Sequence, residues 1–174
     1  GEIVEVELEI WPASLALPTE VAIDEIAVAH FDWRIGTSSG TITGLRFGYT
    51  GGAISHRVDN LSLVAPRGAL TGDISMGGEP PFAIAGKFTL AGDATLKDAR
   101  ADVAVSGRLD AVAVDAAGHA GEARFRLRAR LSPLAVAVLD DLSLDAQGLD
   151  LATWDATFPA TRLGVKVEAR PFDG

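Results

Sequence analysis

No cysteine occurs among the 174 residues, which excludes disulfides and thiolate metal sites. That suits an extracytoplasmic chain that avoids the oxidising machinery, and equally a cysteine-free cytosolic one. Aromatic residues are scarce at 6%, so large ring systems cannot fill much of a core. Cations are outnumbered, 15 against 24 acidic residues, for a net charge of −9. A nucleic-acid binder carries a broad basic footprint. Here only the stripe Arg124–Arg130 is basic, and no nucleic-acid partner is expected. The longest apolar run, Pro133–Leu139, falls well short of the roughly 18 residues a membrane-spanning helix needs. The chain opens on Gly1-Glu2 without a basic region or an initiator Met. It reads as a single all-β segment, residues 1–174, excised from a longer protein.

What is present is aliphatic and periodic. The chain is 48% hydrophobic, with a mean hydropathy of +0.23. In Gly121–Leu131, Phe125, Leu127, Ala129 and Leu131 alternate with Arg124, Arg126, Arg128 and Arg130. Strand side chains alternate faces with period 2, so this is a strand with one apolar and one cationic face. Ser132-Pro133 stops it, since proline offers no N–H to a ladder. A second apolar strand, Leu134–Leu139, an acidic bend at Asp140-Asp141 and a third strand, Leu142–Leu144, are expected to follow.

The same grammar runs from the start. Val4, Val6, Leu8 and Ile10 alternate with Glu5, Glu7 and Glu9, and Trp11-Pro12 closes the unit. Val21 and Ile23 are followed by a one-residue phase shift at Asp24-Glu25 before Ile26 and Val28, the mark of a β-bulge or tight bend. Phe31 and Trp33 continue that face. Gly36–Gly40 is expected to turn, Thr41–Tyr49 to be a strand, and Gly51-Gly52 to open a hairpin. Pro66–Gly68, Gly77–Pro81 and Ala116–Gly121 read as further turns. Ile74 stands between the first two of these. Phe82, Ile84, Gly86, Phe88 and Leu90 form one apolar face, and Val103, Val105, Gly107 and Leu109 another. An acidic pair followed by apolar-small-apolar residues recurs at 24–28, 59–63 and 140–144, an irregular internal repeat. No window has a helical period. Roughly a dozen strands, many of eight or nine residues, predict an all-β, mainly antiparallel chain.

Glycine recurs on the apolar face at Gly72, Gly86 and Gly107, where it lets a sheet bend or a neighbour approach closely. A compact sandwich fills its middle with large side chains, whereas a long curved sheet lined by small ones leaves a trough. The low aromatic content favours the trough.

Several pieces resemble the TamB and AsmA-like family of bacterial envelope proteins. These are Leu17-Pro18 with the Val21–Val28 unit, Gly68-Ala69-Leu70-Thr71-Gly72 and Gly107-Arg108-Leu109. The likeness is strongest in Arg130-Leu131-Ser132-Pro133-Leu134, Asp141-Leu142-Ser143-Leu144 and Phe158-Pro159-Ala160-Thr161-Arg162-Leu163. The glycine-dense, Asp-rich block typical of that family's extreme C-terminal domain is not evident, which places the segment earlier in a long chain. The resemblance implies a long, strongly curved sheet folded as a β-taco around a hydrophobic groove. It implies a periplasmic segment of a protein anchored in the inner membrane. It also implies a non-enzymatic role in phospholipid transfer or outer-membrane-protein assembly, beside an Omp85-type barrel. The residues expected to line the groove are Phe47, Ile74, Phe82, Ile84, Phe88, Leu90, Val103, Val105, Phe125, Leu127, Leu131, Val136 and Val138. Lipid acyl chains or outer-membrane-protein substrates are the expected cargo.

No catalytic, cofactor or metal residue is assigned. Gly36-Thr37-Ser38-Ser39-Gly40 matches the nucleophile elbow by letter, but that elbow needs a helix after it, and here a strand follows. His30, His56 and His119 have no metal spacing and read as satisfied or solvated. Asp140, Asp141 and Asp145 lack a calcium-loop glycine. The arginine row reads as a solvated face, with pairing to an acidic row such as Glu5, Glu7 and Glu9 as its competitor. A structural or adhesive β-domain with a closed core is the competing reading of the whole chain.

Overall fold

A computed structural model describes residues 13–35, 38–65, 68–94, 98–135, 138–150, 157 and 161–170. They form ten strands: β1 Val21–Ile35, β2 Ser38–Gly51, β3 Ser55–Ala65, β4 Gly68–Gly77, β5 Ala83–Gly92, β6 Ala99–Arg108, β7 Ala111–Ala120, β8 Ala123–Leu131, β9 Leu139–Leu149 and β10 Leu163–Ala169. There is no helix among the described residues. The strands lie in one open sheet in sequence order, and every neighbouring pair is antiparallel. The expected all-β, antiparallel class is what the chain adopts. Among the described residues it does so with ten strands, many longer than the short ones expected, because the anticipated bend at Asp140-Asp141 and the acidic pair Asp59-Asn60 are bulges within strands.

From β4 to β8 the register is unbroken. Phe125 faces Gly118, Gly118 faces Ala101, Ala101 faces Leu90 and Leu90 faces Leu70. The flanks behave differently. Ile23 and Ile26 face Tyr49 and Phe47, so one strand advances three residues while its partner advances two. The same surplus separates Val58 and Leu61 against Ile74 and Gly72. At the third site Arg130 faces Asp141 while Leu131 faces Leu139, leaving Asp140 extra. All three copies of the acidic repeat are therefore β-bulges. The phase shift expected at Asp24-Glu25 is one of them. Asp59-Asn60 and Asp140-Asp141, copies of the repeat of which the second was expected to be a bend, lie inside β3 and β9. Carboxylates of the repeat or of the neighbouring strand serve these irregularities locally. Asn60, left-handed at φ 54°, donates its N–H to Asp73 Oδ1 at 2.9 Å. Glu25 meets Arg46 at 3.8 Å and Asp141 meets Arg170 at 3.4 Å. Two further shifts fall by Gly44 and Gly148, with φ 59° and 72°, where glycine carries a bulge without a Cβ clash.

Other expected boundaries move. Ala116–Gly121 is not a turn, since β7 runs to Ala120 and only Gly121-Glu122 joins the pair Ala120 and Ala123. His119 is thus a strand residue. Of the expected strand Leu134–Leu139, Leu134, Ala135 and Val138 lie outside any strand, Leu139 belongs to β9, and Val136 and Ala137 lie outside the described residues. Pro133-Leu134 turns, Ala135 N–H donates to Ser132 O at 2.9 Å, and Ser132 N–H donates to Val138 O at 2.8 Å, closing a loop before Leu139 opens β9. The pairing of β1 with β2 continues to Ile35 and Ser38, so Ser38–Gly40 of the expected turn lie in β2, while Gly36 and Thr37 lie outside the described residues. The expected strand 3–10, Trp11-Pro12, Pro66-Arg67, Val136, Trp154 and Phe158-Pro159 lie outside the described residues.

Candidate functional site

Strand alternation and this register sort the side chains into two faces. One carries apolar rows that cross the strands. Val167, Leu144, Leu127, Ala116, Val103, Phe88, Gly72 and Leu61 form one row. Ala169, Leu142, Ala129, Val114, Val105, Gly86, Ile74 and Val58 form the next, which Tyr49 and Ile23 extend to the sheet edge. Of the expected lining residues, Phe47, Ile74, Ile84, Phe88, Leu90, Val103, Val105, Phe125, Leu127 and Leu131 all belong to this face. Phe82 does not lie in a strand. It sits left-handed at φ 50° before β5, is buried, and its carbonyl accepts Leu109 N–H at 3.1 Å, so it seals a sheet end. Val138 lies in the loop before β9 and is half exposed.

The apolar face has no second layer of strands or helices on it among the described residues. Among the described residues the buried hydrophobics are Val112 and Ala146 on this face, at 8% and 6% exposure, and Phe82 at the sheet end, at 7%. Leu163, Val165 and Val167 on β10 stand at 39–40%. Packing within the face is lateral. A Cβ placed on Gly72 would lie 2.6 Å from Phe88 Cδ1, and one on Gly86 would lie 3.1 Å from Phe88 Cε2. The Phe88 ring thus lies over two glycines on its own and the neighbouring strand, an aromatic covering bare backbone.

One end of this face is walled by the segment Ala13–Leu17. Leu15 N–H donates to Gly78 O at 2.8 Å and Leu17 N–H donates to Gly52 O at 3.1 Å. His56 Nε2 donates to Leu15 O at 2.9 Å. A carbonyl can only accept, so Nε2 carries a proton, and in the neutral ring Nδ1 accepts from Tyr49 Oη at 2.8 Å. The two rings stack with centroids 6.2 Å apart. Between this strap and Val58, Ile74, Met76 and Ile84 lies a hollow of about 470 Å³. The strap is a feature the sequence did not reveal. Its one signal is His56, a polar residue in an otherwise apolar row.

The opposite face is polar. A larger hollow of about 940 Å³ crosses β3 to β8 there, between rows that include Thr71, Asp73, Lys87, Asp102, Asp115, Arg126 and Arg128. Opposite charges face each other across strands. Arg128 meets Asp115 at 3.3 Å, Arg126 faces Asp145, and Arg130 faces Asp141. The arginine row is exposed, as expected, and its acidic neighbours come from β7 and β9.

The remaining candidates stay apart. His30 lies 3.5 Å from Asp32, His56 belongs to the strap, and His119 is exposed on β7. Asp140 accepts from Ser132 Oγ at 2.6 Å, while Asp145 accepts from Gln147 Nε2 at 3.4 Å. No group of three or more metal-ligating side chains gathers among the described residues. Ser38 opens strand β2, without the helix an elbow requires. No described helix is long and apolar enough to cross a membrane. Compared with protein-family models, curated proteins and solved structures, the chain finds no match.

Proposed function

We propose that the chain is a non-enzymatic lipid-handling segment whose apolar face holds the acyl chains of phospholipids. The observation that carries this reading is an aliphatic face continuous over ten strands with no covering layer among the described residues. Ten strands about 4.8 Å apart and about 24 Å long present on the order of 1,000 Å² per face. A soluble monomer rarely exposes more than a few hundred Å² of contiguous apolar surface. Leaving such a face in water costs about 25 cal/mol per Å², and hydrocarbon chains relieve that cost without requiring any polar partner. Aliphatic side chains with few aromatics suit a fluid, sequence-free ligand better than a shaped one.

In this reading the sheet curves about the apolar face into a groove of the TamB/AsmA-like kind. The segment then serves in the periplasm, within an inner-membrane-anchored protein that works beside an Omp85-type barrel. Photocrosslinkers placed at Phe88 and Leu127 should label phospholipid acyl chains, and those at Arg126 and Arg128 should not. Native mass spectrometry should recover the same lipids. Crosslinking confined to the arginine positions, or none with lipid at any position, overturns the reading.

A further inference from the structure

The apolar face differs along its length, and the strapped end is chemically unlike the rest. Resting on the reading above that this face takes lipid chains, we propose that the hollow beneath Ala13–Leu17 is an end-pocket. It receives the methyl terminus of a hydrocarbon chain and rejects the headgroup. Its volume of about 470 Å³ lies within the roughly 300–1,000 Å³ of small-molecule sites. Four strands form its floor, and Leu15 and Leu17 wall it from above.

The decisive feature is the state of its polar atoms. His56 has both ring nitrogens engaged, one to Leu15 O and one from Tyr49 Oη. The Leu15 and Leu17 N–H groups are spent on Gly78 and Gly52. Arg57 and Ser75 also border the hollow, but strand alternation turns their side chains to the opposite face, where they bond Asp59 and Ala85 O, so the donors that border the hollow are already engaged. A carboxylate or phosphate entering here would lose its water and gain no hydrogen bond. A methyl terminus loses nothing. The same bonds fix the strap to the sheet at three points, so the wall that stops the chain is held in place.

Met76 lines this pocket and is the chain's one methionine. A carbon-13 label on methionine methyls therefore gives a single reporter inside the proposed site. Palmitate added to the labelled full chain should shift that resonance. A stearate carrying a nitroxide near its methyl end should bleach the signal several-fold more than one carrying it beside the carboxylate. Ile84→Trp, which fills the pocket, should abolish the Met76 response while lipid still labels crosslinkers at Leu127. Palmitate bound by native mass spectrometry with Met76 unmoved overturns the end-pocket and leaves the lipid-handling reading standing. Equal or reversed bleaching also overturns it. Absence of any palmitate binding overturns both.

Discussion

The middle and the flanks of the sheet solve one problem in two ways. From β4 to β8 every residue has a partner in step, and sequence parity assigns each side chain to its face. In β1, β3 and β9 an extra residue enters beside each acidic pair, and parity reverses there while the apolar face runs on unbroken. The difference teaches that the acidic repeat works as a phase corrector. It absorbs one surplus residue, its own carboxylates pair with nearby arginines, and at Asn60 the backbone N–H left over is taken by Asp73 of the neighbouring strand.

That contrast can be broken most sharply in the regular region. Inserting a serine between Val103 and Ala104 should destabilise the sheet by at least about 3 kcal/mol. A one-residue slip sends Val105 to the polar face, or else forces a bulge where the nearby carboxylates, Asp102 and Asp115, are already paired with Arg100 and Arg128. The urea midpoint should fall accordingly, and an unchanged midpoint would show that the centre tolerates surplus residues as the flanks do. Phe88→Ala removes the ring covering Gly72 and Gly86. It should cost about 2 kcal/mol, roughly half the figure for a fully buried phenylalanine, again read from urea unfolding. Deleting Asn60 should have the smallest effect, within about 1 kcal/mol. It leaves Asp59 alone between Val58 and Leu61, restores plain alternation, and removes a left-handed non-glycine residue. A loss as large as that of the β6 insertion would mean that the bulge itself is required.

Alternation made β5, β6 and β8 legible, because Phe88, Val105 and Leu127 each stand between polar or small neighbours. It failed where contrast vanished. Ala116–Ala120 contains alanine, glycine and one histidine, small enough for either face, so a strand looked like a turn. Pro133–Leu139 failed the other way. Its unbroken apolar run carries no period, and Pro133 had already removed a ladder donor, so the segment closes on itself through Ser132 and Val138. The bulges were half legible, as phase shifts without their extent. The strap was beyond reach, since Leu15 and Leu17 are held by backbone carbonyls of two distant turns, and main-chain bonds leave no residue signature. The polar-face hollow likewise depends on spacing between rows that no single strand encodes.

The order of the strands has a kinetic consequence. Each strand pairs only with those before and after it in sequence, so no partner lies further along the chain than one hairpin. From β1 to β9 assembly therefore requires only short loop closures, which lowers the entropic barrier that slows most all-β proteins. The two-residue connections at Leu109-Asp110 and Gly121-Glu122 are the natural nuclei, the first clamped by Arg108 Nε and Nη2 on Asp110 at 2.9 and 2.8 Å. Strands then accrete outward on both edges, each completing the hydrogen bonding of the last. A sheet that grows by nearest neighbours gains and loses stability strand by strand. Its edge strands exchange amide hydrogens first, and its length can vary without redesign of the centre.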